Sequence, residues 1–272
     1  MDAKTKPMND AADNTPDTAE TISAVIITKN EEANIARCLK ALSWVDEIVV
    51  VDSGSNDDTR QLATELGAAV FEADWNGFGP TKALGVDKAT SQWIISVDAD
   101  EVVSPQLASE IQKVLIDGTD HHGFDMPRKT NFLGRWIHHC GWYPDRVLRL
   151  FLKAHGNFND APVHERVVLK GDIGHLKEYL LHYSYPSLEH YLVKSNRYTT
   201  LGAQKALTDG RRANWFDIVI RPTVSFLSHY ISRQGFRDGL EGLLISVLSA
   251  VAVMMKYSKL RVLQNEQRRR ET

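Results

Sequence analysis

Residues 23–52 read SAVIITKNEEANIARCLKALSWVDEIVVVD, and this stretch predicts a strand, a helix and a second strand. The runs SAVIIT and EIVVVD at its two ends are rich in β-branched residues, which favour strands. Between them, Ile35, Leu39 and Leu42 recur at the spacing that places apolar side chains on one face of a helix. The stretch therefore predicts the first unit of an alternating strand and helix fold.

The same alternation continues to residue 98. A helix in RQLATELGA ends at Gly67, and the strand AVFEA, a helix in GPTKALGVDKAT and the strand WIISVD follow it. This order predicts an α/β fold with a mostly parallel sheet and helices on both faces. Ligands bind beyond the carboxyl ends of the strands in such sheets. Because Asp52 and Asp98 end the second and fourth strands, we expect both at the same rim.

The remainder of the chain changes character twice. After a helix N-capped by Ser104, residues 123–184 form short segments rich in Trp, His, Arg and Gly, which predict antiparallel strands and long loops over the rim. The sequence is predominantly helical in character from Ser187 onward. We therefore predict three regions, namely a disordered tail over 1–20, an α/β domain over 21–186 and a helical extension over 187–272.

Composition and charge narrow the classes of partner. The chain has 272 residues, 43% hydrophobic and 25% charged, which is ordinary for a globular protein. Its net charge of -3 is uneven, because residues 205–272 carry +6 and the remainder carries -9. The acidic front half disfavours nucleic acid as the main partner, whereas the basic rear half suits an anionic membrane surface. Cys38 and Cys140 alone disfavour a disulfide framework and favour a reducing cytoplasm.

The longest apolar run lies between Glu241 and Lys256 and contains 14 residues. As a helix it would be about 21 Å long, whereas a bilayer core of roughly 30 Å needs about 20 such residues. We do not expect the run to span a membrane. It is typical of a buried core helix or of a helix that lies in a membrane interface with its basic flanks on head groups.

Three acids follow the strand WIISV directly, namely Asp98, Asp100 and Glu101. Carboxylate oxygens are suited to Mg²⁺ or Mn²⁺, which commonly combine one or two carboxylates with substrate phosphates. Short acidic triplets also occur in solvated loops and helix caps. Here the acids fall at the same rim as Asp52, and carboxylates this close repel one another unless a cation is expected. The position therefore favours a metal and nucleotide site.

Three motifs in this order carry a family resemblance, namely SAVIITKNEEANIARCL, VDSGSNDDT and VDADE. Together they resemble the family 2 glycosyltransferases, whose nucleotide-sugar-binding α/β architecture is called GT-A. The later motifs GWYPDRVLRLF, VHERV and LLHYSY are similar to the subgroup of β-1,4-glucosyltransferases that modify heptose in the lipopolysaccharide inner core. The resemblance covers residues 22–259.

The resemblance implies a role for each matching position at the rim. The backbone at Thr28, Asn30 and Glu31 and the side chain of Asp52 would hold the uridine of a UDP-sugar. Asp98 would lie near the ribose and the metal, and Asp100 would ligate the metal directly. Two alternatives stay open, because Asp52 could instead cap the helix that starts near residue 57, and the KNEE motif could be an exposed helical first turn.

An inverting transfer needs a group that takes the proton of the acceptor hydroxyl. Asp145, His164 and Glu165 are candidates, and we favour Glu165 because its family counterpart follows the acceptor-side loop. The alternative is that Glu165 forms a structural ion pair with Arg166 or Arg146.

Further candidates lie in the middle region. His182 is a candidate third metal ligand, or a core histidine. Arg146 and Arg149 are suited to clamping the diphosphate or a phosphorylated acceptor, or else pair with the acidic front half. Trp142 and Tyr143 are suited to stacking on a sugar ring, or else are core aromatics.

The combined prediction is a glycosyltransferase dependent on Mg²⁺ or Mn²⁺. It would move a hexose, glucose by the resemblance, from a UDP-sugar to a lipid-linked glycan such as inner-core heptose, at the cytoplasmic face of the membrane. A sugar nucleotidyltransferase would need a glycine-rich basic loop where this chain has TKNEEAN. A non-catalytic scaffold on the same fold would be expected to lack the acids, which are all present.

Overall fold

The computed structural model of the protein describes residues 20–160 and 165–271. Its first part alternates strands and helices as predicted, and the 1–20 tail lies outside the described residues except for Glu20. The elements are β1 Ile22–Thr28, α1 Glu32–Lys40, β2 Glu47–Asp52, α2 Thr59–Glu65, β3 Ala69–Glu72, α3 Phe78–Lys88 and β4 Trp93–Asp98. The four strands run parallel in the order β3-β2-β1-β4.

The register of these strands brings the predicted rim acids together. Asp52 pairs with Thr28 across β2 and β1, and Asp98 pairs with Ile27 across β4 and β1. Because β1 lies between the two neighbouring strands, both acids lie at the same edge of the sheet, as expected from the sequence.

Beyond β4 the sheet becomes mixed. The next elements are β5 Glu101–Val103, α4 Pro105–Asp117, β6 Gly123–Phe132, β7 Arg135–Trp136, β8 Asp145–Leu152, β9 Gly156–Phe158, β10 Val167–Leu169, β11 Ile173–His175 and β12 Leu180–Tyr185. Strand β8 runs antiparallel to both β4 and β6, and β12 runs parallel to β6 and antiparallel to β5. The α/β class is confirmed, and the middle region supplies the antiparallel part.

Helices cover both faces of the sheet. Ala24 and Ile26 of β1 pack in one apolar cluster with Leu39 of α1 and with α4. Val25, between them, packs in a second cluster with Val86 of α3. Because successive side chains of a strand point to opposite faces, the two clusters are the two sides of a sheet buried on both faces.

The helix after the rim acids begins as predicted. The Ser104 hydroxyl accepts a hydrogen bond from the backbone N–H of Leu107 at 3.1 Å, and Pro105 lies in the first turn. This cap satisfies one of the free donors at the helix start, and proline lacks one of them altogether.

Residues 188–271 are mainly helical. They form α5 Leu188–Thr208, α6 Trp215–Leu227, a π-helical turn Ser228–Ser232, a 3₁₀ turn Gly235–Asp238 and α7 Gly239–Glu271. Helix α7 packs against both α5 and α6. The division of the chain into a GT-A domain over 21–186 and an extension over 187–272 stays a prediction.

The apolar part of α7 is only partly covered. Ile245 packs in a cluster with Phe132 and Tyr191, and Leu260 packs in a second cluster with Ala203. By length and composition alone, the helical stretch Gly235–Arg269 is long and apolar enough to cross a membrane, and 22% of its apolar window is buried. Helix α7 is therefore packed on one side and largely uncovered on the other.

Candidate active site

A cavity of about 940 Å³ opens at the carboxyl ends of β1 and β4. Most of the predicted site residues face it, whichever role they were given. Those that line it are Thr28, Glu31, Asp98, Asp100, Asp145, Glu165 and His182. Four others lie outside its lining, namely Asn30, Asp52, Arg146 and Arg149.

Asp52 is fully buried behind the cavity wall. Its carboxylate accepts hydrogen bonds from the Thr28 hydroxyl at 3.0 Å and from the backbone N–H groups of Gly54 and Ser55 at 3.1 and 2.9 Å. It does not cap α2, whose N-cap is Asp58. Asp52 therefore fixes the turn after β2 and holds Thr28 in place at the rim.

Asn30 joins the loop after β1 to the loop after β2. Its φ of 56° lies in the left-handed region, which asparagine tolerates. Its backbone N–H donates to the Ser55 hydroxyl at 2.8 Å, and its side-chain oxygen accepts from the N–H of Asn56 at 2.8 Å. The two loops that would surround a nucleotide are thus held as one unit.

Glu31 reaches the cavity just before α1 begins. Its backbone N–H donates to the Thr59 hydroxyl at 2.8 Å, and its carboxylate accepts from the Asn34 amide at 2.8 Å. Burial, together with the nearby charges of Asp100 and Asp98, raises the pKa of this carboxyl. The negative charges at the rim are therefore close enough together to oppose ionisation of the Glu31 carboxyl.

Asp98 is held by two buried cations. One carboxylate oxygen lies 2.7 Å from the Lys82 ammonium and the other 2.6 Å from the Arg149 guanidinium. Lys82, whose side chain is 2% exposed, also lies 3.2 Å from Glu165. The ion-pair partner of Glu165 in this structure is thus Lys82, whereas the alternative considered for Glu165 named Arg166 or Arg146.

The ion pairs continue to the other candidate base. Arg149 lies 2.8 Å from the buried Glu101, Glu101 lies 3.0 Å from Arg128, and Arg128 lies 2.6 Å from Asp145. We call the whole set the charge chain, in the order Glu165, Lys82, Asp98, Arg149, Glu101, Arg128 and Asp145. Glu101 is thus a buried counter-ion of two arginines, and the charge chain links Glu165 to Asp145.

The charge chain also sets the ionisation of the rim acids. Burial by itself would raise the pKa of Asp98, but the Arg149 and Lys82 charges hold it well below its usual range. Burial likewise opposes ionisation of Asp100, and the hydrogen bond and charge of His182 lower its pKa. Both acids are therefore anionic at neutral pH.

Asp100 and His182 form the part of the site best suited to a divalent metal. The imidazole Nε2 lies 3.2 Å from an Asp100 oxygen, and in the described structure the buried Nδ1 has no hydrogen-bond partner. Within residues 20–160 and 165–271, no group of three or more His, Cys, Asp or Glu side chains could hold a metal by itself. The donors fit an ion that takes two protein ligands and completes its shell with phosphate oxygens and water.

Arg146 and Arg149 both pair with acids, which is the alternative that the sequence left open for them. Arg146 donates to Asp125 at 2.7 Å and to the Leu176 carbonyl at 2.8 Å, outside the cavity lining. Arg149 is buried and bonded to Asp98 and Glu101. Neither guanidinium is presented to a ligand in the cavity. The cationic side chains that line the cavity are Lys29, Arg128, Lys194 and Arg197.

Lys82 was missed at the sequence level, although a signal was present. It lies on the buried face of α3 with Gly79, Gly85 and Val86, where an apolar residue is expected. A lysine on an apolar stripe indicates a buried anionic partner. Lys194 and Arg197 were missed because their place at the cavity depends on how α5 packs.

The two aromatic candidates have different surroundings. Trp142 lines the cavity and packs edge-on against Phe132, with ring centroids 5.7 Å apart. Tyr143 lies 5.9 Å from the His138 ring and is not part of the lining. Trp142 thus contacts both the core and the cavity. The candidate base His164 lies outside the described residues.

Comparison with known proteins adds independent information. Residues 23–175 match the family described as Glycosyl transferase family 2. The lipopolysaccharide core biosynthesis glycosyltransferase LpsC of Rhizobium meliloti is 28% identical over 252 residues, which cover 88% of this chain and 91% of that protein. An uncharacterized glycosyltransferase of Rickettsia felis is 31% identical over 254 residues, covering 89% of this chain and 90% of that protein.

A solved structure also matches part of the chain. The glucosyl-3-phosphoglycerate synthase of Mycobacterium tuberculosis, crystallised with Mn²⁺, UDP and glucosyl-3-phosphoglycerate, is 25% identical. The match covers 41% of this chain and 44% of that one, with a TM-score of 0.35.

Proposed function

The chain belongs to glycosyltransferase family 2, and from this premise we propose that it transfers a hexose from a UDP-sugar to a lipid-linked glycan. We take glucose as the hexose and heptose of the lipopolysaccharide inner core as the acceptor. The similarity to a lipopolysaccharide core glycosyltransferase supports this class of acceptor. The observation that carries the proposal is that Asp98, Asp100 and His182 line the same cavity as Asp145 and Glu165.

The nucleotide end of the donor is assigned to the loops after β1 and β2. Thr28 and Glu31 line the cavity there, and Asp52 and Asn30 act from behind by fixing the two loops through hydrogen bonds. Asp98, held by its two cations, is assigned to accept a hydrogen bond from a ribose hydroxyl. A rigid binding surface lowers the entropic cost of ordering the donor.

The metal is assigned to Asp100 and His182, with Mg²⁺ or Mn²⁺ as the ion. When bound, such an ion neutralises the charge of the diphosphate leaving group. Asp98 is a weaker candidate ligand, because each of its oxygens is already paired with a cation, Lys82 or Arg149. Lys194 and Arg197 are further cavity cations that would attract the diphosphate.

Glu165 is assigned as the base that takes the acceptor hydroxyl proton, with Asp145 as the alternative. Inverting transfer displaces the nucleotide in one step and requires no covalent intermediate with the protein. Lys82 orients the Glu165 carboxylate through their contact at 3.2 Å. Arg128 orients Asp145 in the same way.

The location of the enzyme follows from the class of acceptor. A lipid-linked glycan is presented at a membrane surface, and the net charge of +6 over residues 205–272 favours an anionic one. We therefore place the protein at the cytoplasmic face of the membrane, attached peripherally.

The proposal is tested by incubating the full-length protein with a panel of UDP-sugars, Mn²⁺ or Mg²⁺ and a lipopolysaccharide inner-core acceptor. NMR of the anomeric proton of the product identifies both the sugar and the stereochemistry. We expect transfer from UDP-glucose with inversion, and loss of transfer in chelator. Transfer at the full rate in the presence of chelator would contradict the assignment of a metal.

The choice of base is tested by comparing Glu165→Gln with Asp145→Asn at saturating UDP-sugar. The variant lacking the base should bind UDP with unchanged affinity and transfer about 10²–10⁴ times more slowly. A normal rate for Glu165→Gln combined with a slow rate for Asp145→Asn would move the base to Asp145.

A further inference from the structure

Residues 211–240, which we call the outer segment, expose apolar side chains on one helical face. The buried residue of α6 is Asp217, an acid, whereas Trp215 is 70% exposed. The large exposed apolar side chains of α6 and the turn after it are Trp215, Phe216, Val219, Val224, Leu227 and Ile231. A surface helix normally turns its apolar stripe inward and a polar face outward. Helix α6 packs Ile218 inward near α7 and exposes a second set of apolar side chains.

The polar contacts of α6 make this orientation specific. Asp217 accepts a hydrogen bond from the backbone N–H of Asn214, whose side chain caps the Asp217 N–H in return. Asp217 also pairs with Arg221. The helix start is thus fixed with its acid inside, and the apolar side chains are left facing out. Several large apolar side chains exposed together on one helix indicate an interaction surface.

The charges of the outer segment select the partner. Its exposed charged residues are all arginines, namely Arg211, Arg212, Arg221, Arg233 and Arg237. Its two acids, Asp217 and Asp238, are buried. A symmetric contact with a second copy would bring these arginines towards the same arginines of the partner. An anionic lipid surface offers both an apolar layer and negative head groups, and therefore suits the pattern better.

The outer segment is bonded to the wall of the cavity. Asp238 accepts hydrogen bonds from the backbone N–H groups of His138 and His139 at 3.3 and 2.7 Å. The Arg233 carbonyl accepts one from the N–H of Cys140 at 3.0 Å. The next residues, Gly141 and Trp142, line the cavity. Hydrogen bonds therefore connect the outer segment to the loop that lines the cavity.

We propose that the outer segment docks the protein on an anionic membrane by inserting the apolar face of α6 among the head groups, with its arginines on the lipid phosphates. This assigns membrane contact to α6 and the turns after it, rather than to the longer apolar run of α7. The purpose of docking, which is to present the cavity to a lipid-linked acceptor, rests on the proposed function. The docking itself does not.

The experiment is flotation of the full-length protein with vesicles of phosphatidylethanolamine and phosphatidylglycerol, and with vesicles of phosphatidylcholine. We expect binding to the anionic vesicles only, weakened by salt. The double variant Trp215→Ser with Phe216→Ser should lower the partition coefficient roughly tenfold or more. Arg212→Gln and Arg237→Gln should each lower it about fivefold.

Ile116→Ser is the control, because Ile116 is a large apolar side chain that is 83% exposed on α4, outside the outer segment. It should bind vesicles like the unchanged protein. Thermal unfolding of every variant checks that the fold is intact. Equal loss of binding in Ile116→Ser, or unchanged binding in the double variant, overturns the proposal.

Two further outcomes identify another occupant. A dimer in sedimentation velocity that the double variant dissociates, with vesicle binding unchanged, assigns the surface to a second copy. Resistance of the membrane-bound protein to alkaline carbonate assigns insertion to a spanning helix and overturns peripheral docking.

Activity separates this proposal from the proposed function. The double variant should transfer normally to a water-soluble, deacylated acceptor and slowly to the same glycan in vesicles. No transfer by the unchanged protein to either acceptor would contradict the proposed function. The flotation result would then still decide whether the outer segment docks on the membrane. Equal transfer to both acceptors by the double variant, despite lost flotation, would contradict the link between docking and catalysis.

Discussion

The rim of the sheet and the outer segment depart from ordinary protein patterning in opposite directions. At the rim, charged side chains such as Lys82 and Glu101 are buried, each with oppositely charged partners. In the outer segment, Trp215 and its apolar neighbours are exposed. Buried charge is tolerated when its partners are supplied, and an exposed apolar face is retained where something covers it. The charges of the charge chain are therefore paired within the protein, whereas the apolar face of the outer segment is left for the membrane that we propose covers it.

The largest expected effect concerns Asp100, a rim acid that is not held by the cations of the charge chain. Asp100→Ala should reduce transfer from a UDP-sugar about 10³-fold, because a metal contributes several kcal/mol to stabilising the leaving group. Asp117→Ala is the matched control, since that acid lies on the surface of α4 with Lys113 as its partner. Product formation is followed by chromatography. Wild-type rates in Asp100→Ala would place the metal elsewhere or remove it from the reaction.

The second prediction compares two tryptophans of opposite burial. Trp93 on β4 is 1% exposed, whereas Trp215 on α6 is 70% exposed. Trp93→Ala should lower the free energy of unfolding by about 3–5 kcal/mol, because it leaves a cavity in the core. Trp215→Ala should change it by less than about 0.5 kcal/mol in the absence of lipid. Urea unfolding measures both. Similar losses would mean that α6 is covered by protein in solution.

The third prediction tests whether the acids of the charge chain need their cationic partners for the stability of the fold. Lys82→Met should lower the free energy of unfolding by about 3 kcal/mol, because Asp98 and Glu165 lose a shared buried partner. Lys113→Met, which removes an exposed pair with Asp117, should leave stability unchanged. An unchanged or larger free energy of unfolding in Lys82→Met would show that Asp98 and Glu165 do not depend on Lys82 for stability.

The smallest expected effect is a pH dependence. Because Arg149 and Lys82 outweigh burial and hold the pKa of Asp98 below the unfolded value of about 3.9, the ionised carboxylate stabilises the folded protein above about pH 4. That contribution is lost as the pH falls through the folded pKa. The difference in free energy of unfolding between wild type and Asp98→Asn, measured in chelator, should therefore narrow below pH 4. A constant difference would argue against an ionised Asp98.

Local pattern was sufficient to predict the elements around the rim. The β-branched runs and helical spacing predicted β1 to β4 with α1 to α3, and Ser104 followed by Pro105 predicted the start of α4. Asp52 and Asp98 were placed at one edge because parallel strands share a direction. Each of these predictions depends on a few consecutive residues and on rules of chain connection.

The partners of the rim acids were not predictable in the same way. Arg149 reaches Asp98 because β8 pairs antiparallel with β4, and nothing in either segment alone specifies that pairing. The sequence therefore left open whether Arg149 clamps the diphosphate or pairs with acids, and in the structure it pairs with Asp98 and Glu101. The exposed apolar face of α6 was also missed, since an apolar pattern by itself does not reveal which of its side chains the protein covers.

The most direct test of the central claim, that the rim acids form a metal-assisted sugar-nucleotide site, is calorimetric titration of UDP into the protein with Mn²⁺ and with chelator. Mn²⁺ should tighten UDP binding at least about tenfold in the unchanged protein. It should have no such effect in Asp100→Ala, while Asp117→Ala behaves like the unchanged protein. Equal UDP affinity with Mn²⁺ and with chelator in the unchanged protein would contradict the account.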